Sequence, residues 1–242
     1  MFDYSLDFSS KRIIGQQNTP TIQELVANDF DEQGLKYSKD GKILIQSKRK
    51  CEDIFIKEGV EIICEKVFIK NTLIKSVHLP SSLRMIGDAA FNKCTNLSSI
   101  VFQSNLEYIG EYCFNSTSLV EVDLSMTRLP YINRGAFGYC KKMISVELPK
   151  NLIGILDRSF YKSSVLEFHL PDSVEYIGES ALDTFKLQHI NLPQNLRTIY
   201  SSSIGGKRDL TIDDAKGSFK YEKGFIYLNE KATLYRTVFR DL

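Results

Sequence analysis

Three histidines and five cysteines are the side chains here best suited to holding a metal or acting as nucleophiles. The cysteines are Cys51, Cys64, Cys94, Cys113 and Cys140, an odd number with no C-x-x-C pair. Zinc spacing is therefore absent. Cys94 and Cys140 occupy the same slot of a repeated pattern, two copies apart, roughly 9–10 Å if the copies stack as strands, beyond disulfide reach. Buried, reduced structural thiols are the resulting expectation. His78, His169 and His189 alternate with apolar residues, as do Glu121, Asp123, Glu147 and Glu167. Glu167, His169 and His189 would be same-face neighbours within about 5–7 Å in a sheet. A flat sheet supplies few converging ligands, so no metal site is expected there. The chain contains no G-x-S-x-G elbow, P-loop, H-E-x-x-H or paired catalytic carboxylates. Ser81-Ser82, Ser163-Ser164 and Gly205-Gly206 read as turns. Neither an enzyme nor a bound cofactor is expected.

The pattern that places these residues is a unit of about 23 residues, repeated about seven times between Cys51 and Gly206. Its clearest copy is Ile74–Asn96, with Ile74, Val77, Leu79, Pro80, Leu83, Ile86, Gly87, Ala90, Phe91 and Cys94 in order. Other copies begin at Cys51, Leu97, Leu119, Met143, Val165 and Leu187. The alternation of Val77 and Leu79 describes a strand with one inward face. Pro80 ends it, since proline has no amide to give a ladder. The Leu83-x-x-Ile86-Gly87 stretch gives a second short strand, with Gly87 expected to turn the chain at positive φ. The Ala90-Phe91-x-x-Cys94 piece reads as a helical turn, with Phe filling the layer. Phe68, Phe91, Phe114, Phe137 and Phe160 share that slot and should stack. Asn133, Leu156 and Tyr200 replace the Gly, and Lys57, Gln103 and Ser125 the Pro. One copy cannot bury its apolar face alone, so the copies must stack into a solenoid.

In these motifs, from about Asp31 to Tyr235, the chain resembles the BspA-like leucine-rich-repeat proteins of bacteria and parasitic protists. The expected fold is an α/β leucine-rich-repeat solenoid, predominantly β and right-handed. It has about seven repeats of 22–24 residues with short second strands and helical turns. The resemblance also implies binding through the concave strand face and, in many members, surface adhesion or binding of host proteins.

Outside the array, residues 1–30 show no repeat. Residues 31–50 and 210–242 each carry a strand–turn–strand pattern. Gly34–Ile45 aligns with Gly224–Tyr235, and Lys39-Asp40-Gly41 is a hairpin signal. Both are expected to be hairpin caps on a 51–209 array, with Leu210–Asp213 as the last rung. Thirty-one basic against thirty acidic residues leave a net charge of +1, which gives no pull toward nucleic acid or anionic membrane. No apolar run has the length of a membrane span, and none follows Met1 as a signal core. A native start at Met1 would imply a cytoplasmic protein, and a longer native chain a secreted or surface one.

The outward strand positions are where a repeat protein varies and binds. The residues expected to meet a partner are Phe55, His78, Glu121, Asp123, Glu147, Glu167, His169, His189 and Asn191. All three histidines fall in this set, with four carboxylates and no Lys or Arg. A solvated polar sheet face would need no further explanation. The sharper expectation is a monomeric, non-enzymatic scaffold that recognises a protein with a basic surface. A surface adhesin is the alternative. A glycan-binding module ranks below both, since Phe55 is the one aromatic residue in the set.

Overall fold

The computed structural model describes residues 5–7, 12–14, 29–48, 51–200, 202–205, 210–214, 217, 219–222 and 225–228 of the 242. Two antiparallel hairpins come first: β1 (Ser5–Asp7) with β2 (Arg12–Ile14), and β3 (Leu35–Tyr37) with β4 (Ile43–Ser47). The array then alternates between two sheets. The first contains β5 (Asp53–Phe55), β7 (Ser76–His78), β9 (Ser99–Ile100), β11 (Glu121–Asp123), β13 (Ser145–Glu147), β15 (Glu167–Phe168), β17 (His189–Leu192) and β19 (Thr211–Asp214). The second contains β6 (Ile62–Ile63), β8 (Met85–Ile86), β10 (Tyr108–Ile109), β12 (Tyr131–Ile132), β14 (Gly154–Ile155), β16 (Tyr176–Ile177) and β18 (Thr198–Ile199). All pairing within both is parallel, rung to rung, and a last hairpin joins β20 (Phe219–Glu222) to β21 (Phe225–Leu228).

Between the sheets lies one continuous apolar core from Leu35 to Ile204. The five phenylalanines of the repeated slot are fully buried and stack in succession. Their ring centroids are 4.9, 5.2, 5.5 and 5.6 Å apart from Phe68 to Phe160, with planes within 14° of parallel. The spacing is close to that of strands in a sheet. Phe102 adds an edge contact to Phe114 at 5.4 Å.

The expected helical turns are not present, and no helix occurs among the described residues. The segment around each Phe instead holds two residues at positive φ. Lys66, Lys70, Ala89, Lys93, Tyr112, Ser116, Tyr139, Arg158, Lys162 and Ser180 have φ between 51° and 61°, and Gly135 shares the slot of Ala89 and Tyr112. In the second copy the amides of Ala89, Phe91 and Lys93 donate to Glu111, Cys113 and Asn115 of the next rung at 2.8–2.9 Å. Those of Ala90, Asn92 and Cys94 close turns within their own rung. A helix would direct every amide along its own axis and leave the neighbouring rung unbonded. The left-handed residues each cost about 1–2 kcal/mol, and the cross-rung hydrogen bonds they permit offset that.

The consensus glycine also acts differently from expectation. Gly87 is not at positive φ, and a Cβ there would stand 2.5 Å from the Glu65 amide nitrogen of the preceding rung. Close backbone approach excludes the side chain. Where Leu156 and Tyr200 replace this Gly, they pack outside the second sheet with Tyr131 and Tyr176. Asn133 keeps its carboxamide buried by donating to Ile109 O at 2.7 Å.

Both sheets are interrupted. The first is unpaired between β9 and β11 and between β13 and β15. At each break the connection into the next strand is one residue shorter, Phe114 to Leu119 against Phe91 to Leu97 and Phe160 to Val165 against Phe137 to Met143, although the equally short Leu182 to Leu187 leads into β17, which pairs with β15. The second sheet breaks between β10 and β12. There Pro130 occupies the slot of Glu107, whose amide bonds Arg84 O, and proline has no amide to donate.

The expected hairpin caps need correction. β4 extends the second sheet beside β6, with β3 outermost, and leaves the edge of the first sheet uncovered. That edge is met by one side chain: Gln33 Nε2 donates to Phe55 O and its Oε1 accepts from Phe55 N, both at 2.9 Å. At the other end β20 and β21 pair with each other and not with β19. Glu222 at the end of β20 pairs with Phe225 at the start of β21, whereas the match to Gly34–Ile45 places the turn after Leu228. The second half of that match lies outside the described residues.

All five cysteines are free, and four are buried. Cys94 and Cys140 donate weakly to the Phe68 and Phe114 carbonyls of the preceding rungs at 3.0 and 3.1 Å. Burial pushes the Cys113 thiol well up and that of Cys140 up to about 11. A raised value keeps a thiol protonated, and so unreactive, further into alkali. A thiol reagent at mildly alkaline pH should therefore modify the native chain at half-buried Cys51 and spare Cys113 and Cys140 until denaturant is added. Rapid labelling of either in the folded chain would contradict this packing. Phe114→Ala, which opens the middle of the Phe stack, should lower stability by about 3–5 kcal/mol in denaturant titrations.

Candidate functional site: the first-sheet strand face

Alternation along each first-sheet strand turns one residue inward and the next outward, and parallel register aligns the outward residues across rungs. The face thus consists of rows. One row carries Asp53, Ser76, Ser99, Glu121, Ser145, Glu167, His189 and Thr211. The other carries Phe55, His78, Val101, Asp123, Glu147, His169, Asn191 and Asp213. Pairing aligns Asp53 with Ser76, Asp123 with Glu147, Glu167 with His189 and Asn191 with Asp213.

Of the nine residues expected here, Phe55, His78, Glu121, Asp123, Glu147, Glu167 and His169 are exposed, and His189 and Asn191 are half-buried. They divide into zones. The first rungs are apolar: Phe55, 55% exposed, lies flat on His78 with centroids 4.2 Å apart, and Val101 beyond it is 70% exposed. The middle rungs are acidic. Hydrogen bonding from the Ser125 hydroxyl, and then from the Ser125 amide to Oδ1 at 2.9 Å, holds the Asp123 carboxyl below the usual range. Toward the last rungs, Asn191 is occupied internally. Its Oδ1 accepts from Leu170 N at 2.7 Å and its Nδ2 donates to Leu170 O at 2.8 Å, continuing the ladder where β15 ends. His189 Nε2 lies 2.8 Å from Asp213 Oδ2. Asp213 is a site residue that the sequence reading missed. The signal was available, because Leu210-x-Ile212-x repeats the alternation of the earlier strands.

At the strand entrances of both sheets opposite charges meet across rungs: Lys42–Glu61 at 2.7 Å, Arg84–Glu107 at 2.8 Å and Glu175–Arg197 at 3.3 Å beside the second, and Glu52–Lys75 at 2.6 Å beside the first. Within the outward rows of the first sheet, Asp123 and Glu147 stand directly opposite each other, with no Lys or Arg in either row. The cations lie elsewhere: Lys66, Lys70, Lys93, Arg158 and Lys162 occupy the left-handed positions of the turns. Like charges opposed across strands destabilise a sheet. Glu147→Lys, which turns that pair into an attraction, should raise stability by a few tenths of a kcal/mol at low ionic strength. The gain should shrink in roughly molar salt, as measured by thermal melts at both concentrations.

No helix among the described residues is long and apolar enough to cross a membrane. The BspA type leucine-rich repeat region matches residues 44–133 and 109–221, in six copies. A leucine-rich repeat protein from Bacteroides ovatus is similar over 89% of this chain and 66% of its own, at 20% identity and a TM-score of 0.50. The chain thus spans just under two thirds of that protein. A leucine-rich repeat protein from T. pallidum is similar over 77% of this chain and 82% of its own, at 24% identity and a TM-score of 0.52. At such identities the likeness is one of fold. No curated protein matches the chain significantly. The repeat match covers well over half of the sequence, and the β solenoid is the architecture it requires: this chain belongs to the BspA type leucine-rich repeat family.

Proposed function

We propose that this protein is a non-enzymatic scaffold that binds another protein through the first-sheet strand face, and that the partner presents a basic surface beside an apolar one. The observation that carries the reading is the run of uncompensated acidic rungs. Opposite charges pair across rungs at the strand entrances, Glu52 with Lys75 among them, whereas the outward rows oppose Asp123 to Glu147 and flank them with Glu121 and Glu167. Such a row focuses negative potential over a rigid surface, which favours rapid association with a cationic partner. The neighbouring Phe55, His78 and Val101 supply the apolar area that binding energy needs, with Phe55 and Val101 each more than half exposed. A stacked backbone fixes these side chains in advance, so little entropy is lost on docking.

The test is affinity capture with wild type and with a Glu121→Lys/Asp123→Lys/Glu147→Lys variant. All three side chains are exposed, so circular dichroism should show the fold unchanged. Proteins retained by wild type alone should be basic. For a purified one, the variant should slow association at least tenfold, and wild-type binding should weaken as salt is raised across the Debye range. Equal capture by both proteins, insensitive to salt, would place the binding surface elsewhere.

A further inference from the structure

We infer that Glu167, His169 and His189 form a binding site for a zinc-like divalent ion on the strand face, with Asp213 orienting His189 from behind. The inference is independent of any protein partner. Glu167 and His169 stand two residues apart near the end of β15, and His189 lies beside Glu167 in register on β17. One ligand atom from each lies within 4.8 Å of the other two, the one such group of His, Cys, Asp and Glu among the described residues.

A tetrahedral zinc ion with bonds near 2.0–2.2 Å sets its ligand atoms roughly 3.3–3.6 Å apart. The set therefore closes by at most about 1.2–1.5 Å, a movement within side-chain rotation for exposed Glu167 and His169. The objection that a flat sheet supplies few converging ligands fails for a local reason. β15 ends at Phe168, and the Leu170 amide bonds the Asn191 side chain of β17 in place of that strand's backbone. Beyond the regular ladder, the His169 ring lies 6.0 Å from that of His189 and tilted by 46°.

Asp213 provides a second, separate indication. An ionised carboxylate only accepts hydrogen bonds, so the 2.8 Å contact places the His189 proton on Nε2. In neutral imidazole this leaves the Nδ1 lone pair for a metal. A carboxylate behind the far nitrogen is how metal-binding histidines are commonly oriented and made more basic. Two imidazoles and one carboxylate suit zinc and its neighbours in the transition series, whereas calcium and magnesium require more oxygen ligands. Three protein ligands leave one position open to water or to a donor from another molecule.

The test uses the full chain, freed of metal with a chelator and titrated with zinc chloride by calorimetry. Wild type should bind one ion at this site, and calcium chloride over the same range should give no binding. His169→Ala and His189→Ala should weaken zinc binding at least thirtyfold, and Asp213→Asn by about 10–100-fold. Cys51→Ser should match wild type, which excludes the most accessible thiol as the ligand. Zinc should raise the melting temperature of wild type and not of His169→Ala, whose metal-free melt should be unchanged. Undiminished zinc binding in His169→Ala or His189→Ala, or binding lost in Cys51→Ser, would overturn the site. Unchanged affinity in Asp213→Asn would overturn the role of Asp213.

Discussion

Everything in this molecule answers to one constraint: each rung must lie a hydrogen-bond length from the next along three separate lines of backbone. Two of those lines are the strand ladders. The third runs through the turns, where alternate amides such as those of Ala89, Phe91 and Lys93 reach across to the following copy. The fixed spacing forces the phenylalanines into a stack and denies Gly87 room for a side chain. It also explains why residues as ordinary as lysine and arginine accept left-handed backbone, since the neighbouring rung holds them there.

The same constraint gives each face its character. A side chain placed outward on one rung has the outward side chains of its neighbours within reach, so charge choices propagate as rows. At the strand entrances opposite charges pair across rungs on both sheets and contribute modestly to stability, as exposed ion pairs do. In the outward rows of the first sheet they do not, and the acidic rungs remain uncompensated within the fold. A surface that forgoes an available stabilisation is where binding is most reasonably sought.

Much of this was legible in the sequence because the period is strict. The strand positions, the inward residues and the Phe stack all follow from the alternation of Val77 and Leu79 and the recurrence of Phe91, and the last rung from Ile212. The turn conformation was not legible. Ala-Phe-x-x-Cys reads equally well as a helical turn, and the choice is made by hydrogen bonds to a neighbour that a single copy does not contain. The glycine was assigned the wrong cause for the same reason, since its neighbour in space is Glu65 of the preceding copy. At the candidate site, the outward positions of Glu121, Asp123 and Glu147 came directly from the pattern. The internal use of Asn191 did not, because it depends on where β15 stops, nor did the partnership of His189 with Asp213, which depends on a diagonal contact between β17 and β19.

One feature of the ladders has a mechanical meaning. Between the third and fourth rungs both sheets are interrupted at once, β9 from β11 and β10 from β12. There the turn amides of Tyr112, Phe114 and Ser116 and the Phe114–Phe137 stack still carry the connection. Stability in a stacked array is close to a sum of nearest-neighbour terms, so the chain is as strong as its weakest interface. With no strand pairing across it, this seam is where opening fluctuations are expected to begin, held by the turn amides, the Arg128 amide on Leu106 O and the Asn133 side chain on Ile109 O. The apolar rungs of the strand face lie on one side of it and its acidic rungs on the other. A ligand spanning both would act as a splint, tightening the joint as it binds.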